Sequence, residues 1–338
     1  MDTTQKKNKN FSFLDIVVCG PDMSGTSTQI NDMINYFVSK KMKIRDIRGT
    51  EMDLLFHAEM FKEYNKDFIS LKAFLDSDKF NKEDKSKLLL EIYSLISGYK
   101  KETDLLVGSF KKNKITTYIN PNSADVWVSE EPTKRGAGQV NRVIEQNRSS
   151  YDFESTGFST IDGYSAALVH QAYRIDEFYR IRKILRDNNK IIIRSRSEES
   201  ACYQIYDEKN NVNGIKIEEY IALPGHKVAF RFPPTHLFVV CGPENWDKES
   251  YLNLKTIRSN GRILDDYELN SDYQLMVNQR YASDWLNQFY KRGCNSNNAE
   301  YCPEIFRFSI FDLKEDIKAK MYQELDNLYS LWSKKSSI

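Results

Sequence analysis

No apolar run in the 338-residue chain approaches the roughly 18 residues of a membrane span. The opening MDTTQKKNKN is polar, lacks the apolar stretch of a secretory signal and reads as a disordered tail over residues 1–10. Charge of one sign is also missing. With 49 basic and 48 acidic residues the formal net charge is +1, so no global field draws nucleic acid or an anionic membrane. Cysteine is sparse: five residues, at positions 19, 202, 241, 294 and 302, an odd number without paired spacing. That argues against a disulfide framework and for free thiols in a reducing cytoplasm. The four histidines, at 57, 170, 226 and 236, form no metal-ligand pattern. No internal repeat stands out.

What is present is an alternation of short β-branched runs with amphipathic stretches. Leu14 to Val18 reads as a buried strand, broken at Gly20, and a helical pattern begins near Ser27. The stretch after the strand is Gly20-Pro-Asp-Met-Ser-Gly25-Thr26-Ser27. It fits the phosphate-binding pattern G-x-x-x-x-G-K-S/T at every position except the lysine, which is Thr26. Ile30, Met33, Ile34 and Phe37 then give one apolar helical face. Lys43 to Ile47 alternates and can be a strand, and Asp125 to Ser129, Lys190 to Ile193, Thr235 to Cys241 and Ile305 to Phe311 are further strands. A helix over Tyr164 to Asn188 turns Leu168, Ala172, Ile175, Phe178, Ile181 and Leu185 inward. Residues 206 to 227 read as irregular, and Tyr251 to Leu269 as a polar, flexible segment. Leu275 to Phe289 is helical. Asp312 to Trp332 is a final helix with Asp312 as N-cap and Leu313, Ile317, Met321, Leu325 and Leu328 on one side. This alternation predicts an α/β fold with a five-stranded parallel sheet and helices on both faces. A charged helical insertion at about 53–114 interrupts the single domain spanning 11–338. The insertion packs on that domain or serves as a partner-binding or dimerisation arm.

The order of motifs resembles the thymidylate kinase family of nucleoside monophosphate kinases. Glu131-Pro132-Thr133 at the end of a strand is similar to that family's E-P-G/T loop, which touches the acceptor phosphate. Arg174 sits on a helix where the family carries an arginine. IIIRSRSEESACYQ resembles the segment I-x-D-R-Y-x-x-S-x-x-A-Y-Q, and the run from Pro234 to Val240 followed by Pro243-Glu244 resembles P-D-L-T-F-x-L-x-V-x-P-E. Arg258 to Arg262 falls where the family has a mobile lid. The resemblance covers the chain apart from the tail, the insertion and the loop near 206 to 227. It implies a P-loop NTPase-type three-layer fold, ATP and Mg²⁺ as cofactors, and a nucleoside monophosphate such as dTMP as substrate. The departures are specific. The loop lysine is Thr26. The aspartate of the D-R pair is absent, with Arg194 and Ser195 in its place, or Ser195 and Arg196 if one residue is skipped. The acidic strand-end positions are Val240 and Gly242.

The chemistry follows from these residues. Backbone N–H groups of Gly20, Asp22, Ser24, Gly25, Thr26, Ser27 and Thr28 would curl around phosphate, with the helix N-terminus adding positive potential. Ser27 would ligate Mg²⁺. Asp22 contacts the phosphate surroundings or metal-bound water, or is a turn residue. Thr26 cannot carry a cation along the phosphates, and loss of one preorganised donor elsewhere typically costs about 10²–10³ in rate. Lys134, Arg135, Arg194, Arg196, Arg258 and Arg262 are the candidates to replace it. Arg135 and Arg174 would hold the acceptor phosphate, with Glu131, Pro132, Thr133, Arg196, Tyr203 and Gln204 around the acceptor. Arg258 or Arg262 would close over the transferred group. Against this enzyme stands a degenerate relative that binds a nucleotide or a partner without transferring phosphate, and more remotely a scaffold working through its insertion.

Overall fold

The computed structural model describes residues 11–48, 119–131, 167–168, 170–171, 174–175, 177–207, 214–259 and 270–336. Six strands form one sheet in the order β2-β3-β4-β1-β5-β6. They are β1 (Leu14–Cys19), β2 (Ile44–Asp46), β3 (Val126–Glu130), β4 (Ile191–Ser195), β5 (His236–Cys241) and β6 (Glu304–Ser309), and every pairing is parallel. The sheet therefore has six strands rather than five. The addition is β2, a three-residue half-buried strand at one edge, contributed by the alternating KIRDI stretch. A parallel sheet must be covered on both faces, and β1 shows why its sequence is almost wholly apolar. Leu14, Ile16 and Val18 belong to one core, Val17 and Cys19 to another on the opposite face, and all are at most 3% exposed.

The first face is covered by α1 (Thr26–Ser39) and the long C-terminal helix, with Ile30, Met33, Phe37, Met321 and Leu325 packed in one cluster. Each such side chain contributes about 1.5–3 kcal/mol when fully buried. The second face is covered by a π-helical turn, Phe178–Arg182, running into α2 (Lys183–Asp187), and by α3 (Ala201–Gln204), α4 (Ile217–Ala222), α5 (Pro224–Arg231), α7 (Ser271–Ala282) and α8 (Trp285–Ser296). Between β5 and α7 lies α6 (Lys248–Ser259), and α9 (Lys314–Ser336) closes the chain. No helix among the described residues is long and apolar enough to cross a membrane.

Several local expectations are corrected. The stretch expected to be irregular around 206 to 227 contains, among its described residues, α4 and the start of α5, which are short and polar outward and separate where Leu223 is extended and Pro224 starts the next helix. Of the polar segment Tyr251 to Leu269, expected to be flexible, the part to Ser259 is helical, with Tyr251 buried and Leu252 and Ile257 exposed, and residues 260–269 lie outside the described residues. Leu275 to Phe289 is two helices: Ser283 is extended, and Arg307 takes the carbonyls of Tyr281 and Ser283 at 3.0 and 2.9 Å. The final helix starts at Lys314, so Asp312 is not its N-cap but an ion-pair partner of Lys320. Leu313 and Leu168, expected on inward faces, are 69% and 39% exposed. The tail 1–10, the insertion 53–114 and the basic loop 132–138 lie outside the described residues.

Candidate functional site

The sheet order turns at β1, which pairs with β4 on one side and β5 on the other. In open parallel sheets ligands bind beyond the carboxyl ends of the strands at such a switch point. The chain places its phosphate-loop stretch there: β1 ends at Cys19 and α1 begins at Thr26. Gly20 has φ +157° and lies so close to β5 that a Cβ would stand 2.1 Å from the Val240 carbonyl oxygen. Met23 and Gly25 have φ of 64° and 83°, and the Ser24 N–H donates to the Pro21 carbonyl at 3.1 Å. The loop is thereby wound into the start of α1. That helix has no side-chain cap and no acidic residue in its first turn, which leaves its positive end uncompensated. Ser24 Oγ and Gln29 Oε1 are buried without hydrogen-bond partners. Both residues line a cleft of about 590 Å³ over the loop. Thr26 is half-buried and Ser27 exposed on its wall.

Charged groups of known disposition surround this cleft. Asp22 accepts from Arg196 Nη2 at 2.5 Å and from Gln274 Nε2 at 2.8 Å. Arg196 reaches it because the backbone turns to φ 66° directly after β4, while its N–H stays bonded to the Val18 carbonyl at 3.1 Å. A non-glycine residue in the left-handed region is strained by about 1–3 kcal/mol, and here the strain aims a guanidinium at the loop. That guanidinium also lies 5.1 Å from the Tyr203 ring centroid. Arg258 comes from α6 and donates to the carbonyls of Met23 at 2.7 Å and Ile310 at 3.1 Å. Arg196, Arg258 and Lys314 all line the cleft.

Arg174, Glu131 and Arg194 occupy a second, buried centre. Glu131 accepts from Arg174 Nε at 2.7 Å and again from its Nη2, while Arg174 also donates to Tyr220 Oη at 2.7 Å and the Ser197 carbonyl at 2.9 Å. Burial alone would raise the Glu131 carboxyl, but Arg174, His170 and Arg194 outweigh it and hold it well below the usual carboxylate range. Arg194, a candidate to replace the loop lysine, faces away from the loop. Its Nε donates to Asp15 Oδ1 at 2.9 Å and its Nη1 is 3.9 Å from Glu131. Asp15, fully buried in β1, is also reached by Arg182 Nη2 at 3.0 Å and Arg186 Nη2 at 2.7 Å. Sequence reading missed Asp15, Arg182, Arg186 and Gln274. The one signal was an acid inside an otherwise apolar central strand.

Gln204 is buried with its Oε1 unpartnered, and the Tyr203 hydroxyl is likewise unpartnered. The structure thus brings the loop residues, Arg196 and Arg258 to one cleft, and Glu131 and Arg174 to each other, while Tyr203 meets Arg196 and neither it nor Gln204 lines the cleft. Pro132, Thr133, Arg135 and Arg262 lie outside the described residues. No group of three or more His, Cys, Asp or Glu side chains among the described residues could hold a metal.

Beside the buried centre, burial pushes Glu199 up to about 8, and the charges of Glu131 and Glu198 act in the same direction. The folded state therefore binds this proton more tightly than the unfolded chain, where the value is about 4.3. Stability from this group is full below about pH 4 and falls as pH rises toward 8. Glu199→Gln keeps the oxygen that accepts the Ser197 N–H at 2.9 Å. Relative to the parent it should gain melting temperature steadily between about pH 4 and 8. A difference that stays flat with pH would refute the assignment.

Compared with known proteins, the chain matches no family model and no curated sequence. Among solved structures it is similar to a thymidylate kinase from Ehrlichia chaffeensis, at 13% identity and a TM-score of 0.39, over 93% of this chain and 98% of that one.

Proposed function

We propose that this protein binds a nucleoside polyphosphate at the Gly20–Ser27 loop. The observation that carries the reading is the loop itself. It leaves the switch-point strand, admits no side chain at Gly20, and delivers the uncapped N-terminus of α1 into a cleft with two orphaned buried polar atoms. Successive N–H groups in such a turn form a concave anion site. ATP fits this cradle. Gly20, Asp22, Ser24, Gly25, Thr26, Ser27 and Thr28 would line its phosphates, and Ser27 would offer Mg²⁺ one of the few protein oxygens that ion requires. The metal would neutralise phosphate charge.

The finer reading is phosphoryl transfer from ATP to a nucleoside monophosphate such as dTMP. Glu131, Pro132, Thr133, Arg135, Arg174, Tyr203 and Gln204 would serve the acceptor, and Arg258 and Arg262 would close over the transferred group. Arg196, whose guanidinium is beside the loop, would work from the donor side. A second reading is favoured by two observations: Thr26 stands in the lysine position, and Arg174 and Arg194 are engaged by the buried carboxylates Glu131 and Asp15. In that reading the protein holds the nucleotide without transferring phosphate. Calorimetry with ATP and Mg²⁺, followed by a coupled assay with each nucleoside monophosphate, separates the two. Binding with turnover supports the kinase and binding without turnover the second reading. Absence of binding would sink both.

A further inference from the structure

We propose that Lys314, the first residue of α9, supplies the positive charge that the loop itself lacks. The inference rests on reading Gly20–Ser27 as a polyphosphate cradle and names the group that completes it. Three cations stand on the described wall of the cleft: Arg196, Arg258 and Lys314. Two are engaged by protein, Arg196 by the Asp22 carboxylate and Arg258 by the Met23 and Ile310 carbonyls. Lys314 is exposed and has no hydrogen-bond or ion-pair partner among the described residues. The two acids on the cleft wall are taken by other cations, Asp312 by Lys320 at 2.5 Å and Asp22 by Arg196 at 2.5 Å.

The position of Lys314 is fixed by more than its own helix. Arg258 bridges Met23 in the loop and Ile310 just before α9, which ties the start of that helix to the loop. Ile317, one turn further on, is 5% exposed in the core that also holds Ile30 and Met33 of α1. An ammonium on a flexible four-carbon stem, with three rotatable donors, is thereby presented from a fixed base beside the N-terminus of α1. A lysine at Thr26 would arrive from the loop, and Lys314 arrives from α9, on the wall of the same cleft. The ligand it takes is the phosphate chain of the nucleotide, so its contribution scales with phosphate charge and not with the base.

The test is calorimetric titration of the full chain with ATP, ADP and adenosine in the presence of Mg²⁺. Lys314→Ala should weaken ATP and ADP about tenfold to a hundredfold, the range of one charge-assisted hydrogen bond, and leave adenosine unchanged. Lys227→Ala, an exposed lysine of α5, should change neither. Adding Thr26→Lys to the Lys314→Ala variant should restore most of the lost affinity. Equal ATP affinity for the parent and Lys314→Ala overturns the inference and leaves the cradle standing, as does an equal loss for adenosine and ATP. If the parent binds none of the three, the cradle falls and Lys314 with it.

Discussion

Asparagine in place of Asp15 is expected to destabilise the fold by about 3–5 kcal/mol, the range for breaking a buried ion pair by removing one partner. Asp15 is 0% exposed at the centre of the sheet, and three guanidiniums converge on it from Arg182, Arg186 and Arg194. Removing its charge leaves those three cations in a low-dielectric interior with only the more distant carboxylates of Glu198, 3.6 Å from Arg182, and Glu131, 3.9 Å from Arg194. Arg186 retains the Pro233 carbonyl and Arg182 the Phe232 carbonyl, but carbonyl dipoles do not replace a full negative charge. Arg186→Met removes one of three cations and keeps the carboxylate paired, so its loss should be smaller. Denaturant midpoints at pH 7 give the comparison. A loss under about 1 kcal/mol for Asp15→Asn, in the range of exposed pairs, would show that the cluster carries little of the stability.

The same groups set how stability responds to acid. Burial by itself would raise the Asp15 carboxyl, and the three arginines more than offset it and hold it far below the usual carboxylate range. Glu131 is depressed likewise by Arg174. For a depressed carboxylate the stabilisation is complete above the unfolded value near 4 and is lost as pH falls below it. Glu199 has the opposite sign and takes stability away between about 4 and 8. These two arms place the stability maximum of the buried centre at mildly acidic pH.

Much of the architecture was legible because parallel strands buried on both faces must be nearly continuous apolar runs. β1, β4 and β5 read that way, and the glycine spacing after β1 marked the loop because phosphate cradles are local in sequence. β2 was legible only as an alternation, since a half-buried edge strand has half the apolar signal. Partnership was not legible. Arg194 and Arg196 differ by two positions in one strand end, yet one turns to Asp15 inside the fold and the other to Asp22 on the loop. The left-handed backbone at Arg196 decides that split, and no composition or period announces it. Asp15 and Arg186 are 171 residues apart, so their pairing is a property of the sheet order. Lys314 stood unremarked at the head of an amphipathic helix, because its place on the wall of the loop cleft comes from the fold.

Alanine at Gly20 is expected to lower ATP affinity at least about a hundredfold, an effect larger than loss of any one side chain around the cleft. The reason is backbone geometry. The added Cβ would lie 2.1 Å from the Val240 carbonyl oxygen and 2.7 Å from Ser24 Oγ. Val240 belongs to β5, held in register against β1 and β6, so it cannot yield. The loop must move, and with it the N–H groups that would meet the phosphates. Each such charge-assisted bond is worth about 1.5–3 kcal/mol, so displacing two is enough for the predicted loss. Gly25 makes the contrast within the same motif. A Cβ there would meet only the Gln29 amide at 3.5 Å, and the obstacle is φ 83° alone. Left-handed backbone costs an ordinary residue about 1–2 kcal/mol, so Gly25→Ala should reduce melting temperature modestly and keep measurable binding. Calorimetry and thermal melts on both variants decide the matter. ATP affinity equal to the parent in Gly20→Ala would mean that the phosphates do not rest on this loop.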